Sequence, residues 1–193
     1  MATAFTITKK IADLQAVFDK VKRVFYDSST NLDITSATTI GFELPVIEDS
    51  FSFDSGAASI SVVKLTTGQQ WASYSTAGDP DISMQVASVD SSIVELFTEK
   101  KGNALTATAT SSTLNGLAFS GQGYSTEIKK VTGTLILASE DGTRLIELPN
   151  VEMFANFVMQ TGTPGYFNVQ IVPKPNTDGA NIILLTGGTP PVG

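Results

Sequence analysis

The chain has 193 residues, with 12 Lys and Arg against 19 Asp and Glu, a formal net charge of −7. It contains neither cysteine nor histidine. That excludes disulfides, thiolate nucleophiles, Cys or His metal centres and any mechanism with an imidazole base. An acidic chain also lacks the clustered cations of a phosphate grip. Apolar residues are 41% and charged residues only 16%, so a core is affordable and disorder is disfavoured. The deficit of charge is filled by small polar residues, which suits a β-rich chain or one largely covered by copies of itself. A single domain over 1–193 is expected, because two would each be very small. The start MATAFTITKK lacks the apolar stretch of a signal peptide, and the charge-free run at 102–126 is too polar to cross a bilayer. Synthesis in a cytoplasm, without a membrane partner, is the expectation.

In chain order, a helix is expected first. Ile11, Leu14, Phe18, Val21 and Phe25 recur at three- and four-residue steps, with Val17 and Val24 widening the stripe. The cluster Asp27 to Asn31 ends this helical segment, 1–30. Lys9, Lys10, Lys20, Lys22 and Arg23 lie mostly off the stripe and are five of the twelve basic residues. They read either as a solvated face or as a patch that docks on an acidic neighbour. Strands follow. Ile60 and Val62 alternate with serines up to Leu65, and Trp71 to Ser75 is a short candidate. Ile82, Met84 and Val86 alternate with Asp81, Ser83 and Gln85, a half-buried strand after the Gly78–Asp79–Pro80 turn.

Asp90 has the character of a helix cap, with Ile93, Leu96 and Phe97 as the apolar face and Gly102 as the stop after Lys101. The run 102–126 is a long excursion or hairpin, pinned by Leu105, Leu114, Leu117, Phe119 and Tyr124. Val131 to Leu137 pairs with Arg144 to Leu148 through Asp141–Gly142. Val151 to Gln160 is apolar on both sides, which predicts cover on both faces. Tyr166 to Pro173 alternates through Phe167, Val169 and Ile171, and Ile182 to Leu185 precedes a Gly/Pro tail at 186–193. The fold class expected is mainly β, a sandwich- or barrel-like domain with an N-terminal helix and a short central helix.

No enzyme motif is present. Gly121-Gln-Gly123-Tyr breaks the dinucleotide pattern at its third glycine, and Ser120 has no nucleophile elbow around it. The acid pairs Asp79/Asp81, Glu48/Asp49 and Glu140/Asp141 fall at turns or strand edges, where acids serve solubility and turn formation. No calcium-loop pattern occurs. No catalytic residue, cofactor or metal is therefore assigned. Trp71 and Tyr74 could stack on a sugar, but aromatics in β proteins more often serve core or interface.

The block ASISVVKLTTGQQWASYSTAGDPDISMQVASVDSSIVELFTEKKG resembles the core of bacteriophage major tail tube proteins, which are similar in layout to type VI secretion tube subunits. The resemblance lies in serial order over roughly residues 40–185. A strand, Ser59 to Leu65, leads to an alternating strand, Asp81 to Val89. A capped short helix, Asp90 to Lys101, comes next, and then the hairpin GTLILASEDGTRLIELPNV and closing strands. The N-terminal helix departs from many such subunits, which begin with an extended arm.

The resemblance implies a virion protein, not an enzyme. It would form hexameric rings that stack into a tail tube through which genomic DNA passes without specific binding. The chief partner is the chain itself, with sheath, baseplate or tail-terminator proteins beside it. A strand lining a water-filled bore alternates, and cations there would brake sliding DNA. Asp81, Ser83, Gln85, Asn168 and Gln170 are the expected lumen-facing residues, with ordinary solvent exposure as the alternative. Lys9, Lys10, Lys20, Lys22, Arg23, Leu105, Leu114, Leu117 and Phe119 are the expected inter-subunit residues, with 102–126 as an assembly loop. Another head or tail component, or a carbohydrate-binding β-sandwich, is the competing class.

Overall fold

The computed structural model describes residues 17–37, 39–87, 90–108, 116–162 and 164–187. Among them are twelve strands and one helix, with every strand pairing antiparallel, so the chain is mainly β.

The first described element corrects the sequence reading. Val21–Asp27 is a strand, β1, where the apolar spacing predicts helix; residues 1–16, with the rest of that expected helix, lie outside the described residues. The segment VKRVFYD is β-branched and aromatic, and such residues fit a pleated surface better than a helix. Val24 and Tyr26 alternate into the core, while Arg23 and Phe25 share the outer face with the guanidinium 4.9 Å from the ring centroid. The step from Val21 to Val24 mimics a helical stripe because the register shifts between Val21 and Arg23.

β1 lies between β2 (Phe42–Leu44) and β9 (Lys130–Ser139). β9 pairs with β10 (Arg144–Val158), one bent strand where two are expected from sequence. The bend is at Pro149–Asn150, where the register shifts between Leu148 and Val151 and leaves both of those residues in the core. Before the bend β10 takes β12 (Ile183–Thr186) on its other side; after it, β11 (Tyr166–Pro173). β6 (Asp81–Val86) follows β11, and β3 (Ser52–Asp54) follows β6. The turn from β9 to β10 is the Asp141–Gly142 connection expected from sequence. The Asp141 carboxylate accepts the Ser139 hydroxyl, the Thr143 amide and the Thr143 hydroxyl, which hold its pKa down at about 2.

One segment serves both edges of this sheet. After pairing with β1 through β2, the chain bridges Val46 to Val86. Ile47 N–H donates to Gln85 O at 2.8 Å, and Ala87 N–H to Pro45 O at 2.9 Å, before β3 pairs with β6. The core inside is continuous: Val24, Leu44, Met84, Leu137, Met153 and Val169 belong to one cluster. The helix α1 (Ser91–Phe97) adds Ile93 and Phe97 to it, and the Phe97 and Phe167 ring centroids lie 5.4 Å apart.

Asp90 caps α1 as expected, accepting the Ser92 N–H at 2.9 Å. The helix is shorter than the sequence suggests and does not run to Gly102. Thr98 is already extended, and Lys100–Thr108 is a strand, β7. Gly102 instead occupies a left-handed backbone, φ 73°, at the irregularity between Lys101 and Ala104. The excursion 102–126 is chiefly a hairpin, β7 with β8 (Ala118–Tyr124). The apolar strand Val151–Gln160 is also covered less than expected. Val151, Met153 and Ala155 are buried, Phe154 is half-buried, and Phe157 and Met159 are exposed.

β9 is the strand buried on both faces. The chain between β1 and β2 lies over its outer side. The Thr134 hydroxyl is 2.8 Å from Ser29 O and 2.9 Å from Pro149 O, and it accepts the Leu32 N–H. Asp27 pins this strap at both ends through the Ser29 and Gly41 amides. Under it Glu147 is buried beside Ile136, and burial first, then Asp33, pushes its carboxyl up. At Gly133 a Cβ would run into Asp27 O and the Tyr26 ring. Gly133→Ala is expected to cost about 1–3 kcal/mol, the usual cost of overpacking. Thermal or urea unfolding checks it, and an unchanged midpoint would contradict this packing.

Candidate assembly surfaces

Two hairpins stand off the main sheet. The first is β4 (Ser59–Lys64) with β5 (Gln70–Thr76), turned through Thr66–Gly68 with Gly68 at φ 83°. The second is β7 with β8. Each forms a two-stranded sheet with no ladder to the main one among the described residues. Hairpins of this kind are marginal alone in water, because half their side chains have nothing to pack on. Here those side chains are large and apolar: Ile60 and Trp71 are each 72% exposed, Leu105 65% and Phe119 50%.

The β7–β8 hairpin is the more regular. Thr106 pairs with Ser120 and Ala104 with Gln122, giving one polar row; Leu105 pairs with Gly121 on the other face, where alternation also places Phe119. The arm carries charge only at its base, Lys100 and Lys101, and each lysine pairs with an acid there, Glu95 and Glu99. Leu105, Leu117 and Phe119, expected from sequence to pin this segment, are all exposed; Leu114 lies outside the described residues.

The legs of the β4–β5 hairpin meet backbone to backbone. A Cβ on Gly56 would fall 2.6 Å from Gly78 and Asp79 backbone atoms, and one on Gly78 would strike Ala57 O. Side chains are excluded at that neck, so its geometry is tightly set. Sequence reading finds both strands but not their pairing; the turn residues Thr66, Thr67 and Gly68 carry the signal.

The five residues expected to face a lumen are brought together on one outer face. Gln85 pairs with Asn168, Ser83 with Gln170, and Asp81 with Asp54 at the end of the row. The opposite side of the same strands is the buried set Ile82, Met84, Val86, Phe167, Val169 and Ile171. Ser83, Gln85 and Asn168 are half-buried; Asp81 and Gln170 are exposed. The cations along this face are Lys130 on β9 and Lys174 just past the end of β11, and both are engaged. Lys130 and Lys174 reach the Glu152 carboxylate at 3.2 and 3.6 Å, and it is held below its usual pKa by the Lys130 hydrogen bond first.

The basic cluster is engaged within the chain. Arg23 grips Glu43 with both ends of its fork, at 2.6 and 2.8 Å, across β1 and β2. Lys20 and Lys22 share Glu140, at 3.4 and 3.6 Å. These partners, Glu43 and Glu140, are not evident in the sequence. All of these groups are solvent-exposed, so the pairs add little stability. Lys9 and Lys10 lie outside the described residues.

Among the described residues no group of three or more acids is placed to hold a metal ion, and no helix is long and apolar enough to cross a membrane. No protein-family model matches the chain, and no curated protein matches it.

Trp71 is the chain's single tryptophan. In dilute, unassembled protein its emission is expected to be that of a water-exposed indole, freely quenched by acrylamide. Association through the β4–β5 hairpin would shift it to the blue and protect it. A blue, protected emission in the dilute subunit would contradict the exposed hairpin.

Proposed function

We propose that this chain is a structural subunit that polymerises into a tube, as a phage tail tube protein does. A single observation carries the reading. Among the described residues, one segment of the chain supplies both terminal strands of the main sheet, whereas each of two hairpins pairs only within itself and carries exposed apolar side chains. Strand edges of this kind are templates for another chain. Four strands from each subunit, joined edge to edge around a ring, would close into a continuous wall and leave no edge free. In this reading the body is a small barrel-like unit outside the wall, and the virion tail is the destination. Sheath, baseplate and tail-terminator proteins are further partners, and genomic DNA passes without being held.

Deleting residues 104–121 tests the assembly role. The subunit is expected to keep its fold, because among the described residues no strand of the main sheet pairs with this hairpin, and to lose polymerisation in sedimentation velocity. Normal polymers from the deletion variant would overturn the role of the hairpin.

Two surfaces compete for the bore. The polar row of β7–β8, Thr106, Ser120 and Gln122, is uncharged and belongs to strands with free edges. The face at Asp81, Ser83, Gln85, Asn168 and Gln170 is the competing surface: it is likewise free of unpaired cations and gathered into one patch, but it belongs to the body. Lysine at the bore would bind phosphates and slow DNA passage. The pair Thr106→Lys/Ser120→Lys is expected to form tubes and to slow DNA ejection from assembled particles. If Ser83→Lys/Gln85→Lys slows ejection instead, the bore lies along β6 and β11; if neither does, both assignments fail.

A further inference from the structure

One carboxyl lies in the seal between the strap and the outer face of the main sheet. The strand registers place Phe25, Ile136, Glu147 and Ile183 in one row across β1, β9, β10 and β12. Ile136 is 2% exposed and Glu147 4%. The neighbours of Glu147 in that row are apolar. Among the described residues its carboxyl makes no hydrogen bond and no ion pair. A buried carboxylate without a partner is costly, and the usual relief is to take up a proton.

The strap adds a second acid. Asp33 is its one charged residue. The Asp33 oxygens accept the Thr35 N–H at 3.0 Å, the Thr35 hydroxyl at 2.6 Å and the Ser36 hydroxyl at 2.8 Å. Those bonds hold Asp33 below the usual carboxylate range, so it keeps its charge. Burial first, then Asp33, holds the Glu147 carboxyl above its ordinary value. Charged groups on the surrounding elements have other partners. On β1, Arg23 is held by Glu43, Lys22 by Glu140 and Asp27 by the Ser29 and Gly41 amides. Lys130 of β9 is held by Glu152, as is Lys174, and Arg144 of β10 lies beside Asp141. β12 carries no charge, and Asp178 in the turn before it adds only a further negative one.

The strap is tied down close to this acid pair. Asn31 N–H donates to Pro149 O at 2.6 Å, and Leu32 N–H to the Thr134 hydroxyl at 3.2 Å. We propose that Glu147 is a proton-operated latch for the strap: protonated, it lets the strap close over β9, and ionised, it favours opening. Closing raises the affinity of Glu147 for a proton, so the closed strap binds more protons than the open one. Closure is therefore fully supported below the ordinary carboxylate pKa. It weakens as pH rises from there to the raised value, and levels off above it. With one proton involved, the opening equilibrium changes by at most about tenfold per pH unit.

Native-state hydrogen exchange in the full chain reads the opening at the Asn31 and Leu32 amides, corrected for the intrinsic exchange rate at each pH. Their protection is expected to fall as pH rises and then to level, while the amides of β11 keep theirs. Glu147→Gln, of the same size and without charge, is expected to hold the protection high at every pH. Asp33→Asn is expected to narrow the pH range without abolishing the dependence, because burial of Glu147 remains. Flat protection in the unmodified chain, or a pH dependence that survives Glu147→Gln, would overturn the latch. So would a parallel loss at β11, since the whole subunit would then be unfolding. Should Glu147→Gln not fold, Asp33→Asn decides alone, and an unaltered pH profile there would overturn the proposal. All of these amides belong to the body, so the latch and the tube reading can fail separately.

Discussion

Every strand edge must find partners for its amide and carbonyl groups, and this chain meets that requirement in two different ways. Around the core the answer is internal. The segment from Phe42 to Asp54 bonds to β1 at one end and to β6 at the other, and the short strand β12 is the one that pairs only with β10 beside this path. On the hairpins β4–β5 and β7–β8 no second ladder meets the requirement among the described residues, and exposed Ile60, Trp71, Leu105 and Phe119 accompany those edges. A body that closes on itself and arms that do not is the division of labour expected of a subunit built to polymerise.

The body can hold the arms in place because its central strand is fixed on both sides. β9 packs the core with Leu135 and Leu137, and its other face lies under the strap between β1 and β2, tied through the Thr134 hydroxyl. The bend of β10 at Pro149–Asn150 lets one long strand serve two neighbours, β12 and β11. The hairpins then leave the body at positions with little freedom. Gly56 and Gly78 meet backbone to backbone at one neck, and at the other Ser125 N–H donates to Glu99 O at 2.8 Å. In the proposed tube, defined necks would matter because a ring closes only if each subunit presents its edges at the same angle.

Much of the body was legible in the sequence where alternation was clean. Tyr166–Pro173 and the Asp141–Gly142 turn stand as expected, and Asp81–Val86 does so for its alternating part. The misreadings have physical causes. At Val21–Asp27 a register irregularity imitates helical spacing, and pairing on both sides overrides it. Gly102 reads as a helix stop because left-handed glycines serve helix ends and strand bulges alike. The short strands β2 and β3 have three residues each, too few for a period to show. The candidate surfaces were legible in composition, since the charge-free run marks one arm, but not in geometry. Which lysine meets which acid, as with Lys20 and Lys22 on Glu140, depends on residues far apart in the chain.

The central claim is that unsatisfied hairpin edges drive open-ended polymerisation. Electron microscopy of the purified full-length chain, concentrated and negatively stained, tests it most directly. The account predicts hollow tubes of uniform diameter and variable length, built from stacked rings. Monodisperse single subunits at high concentration, or particles of fixed size with no open end, would contradict it.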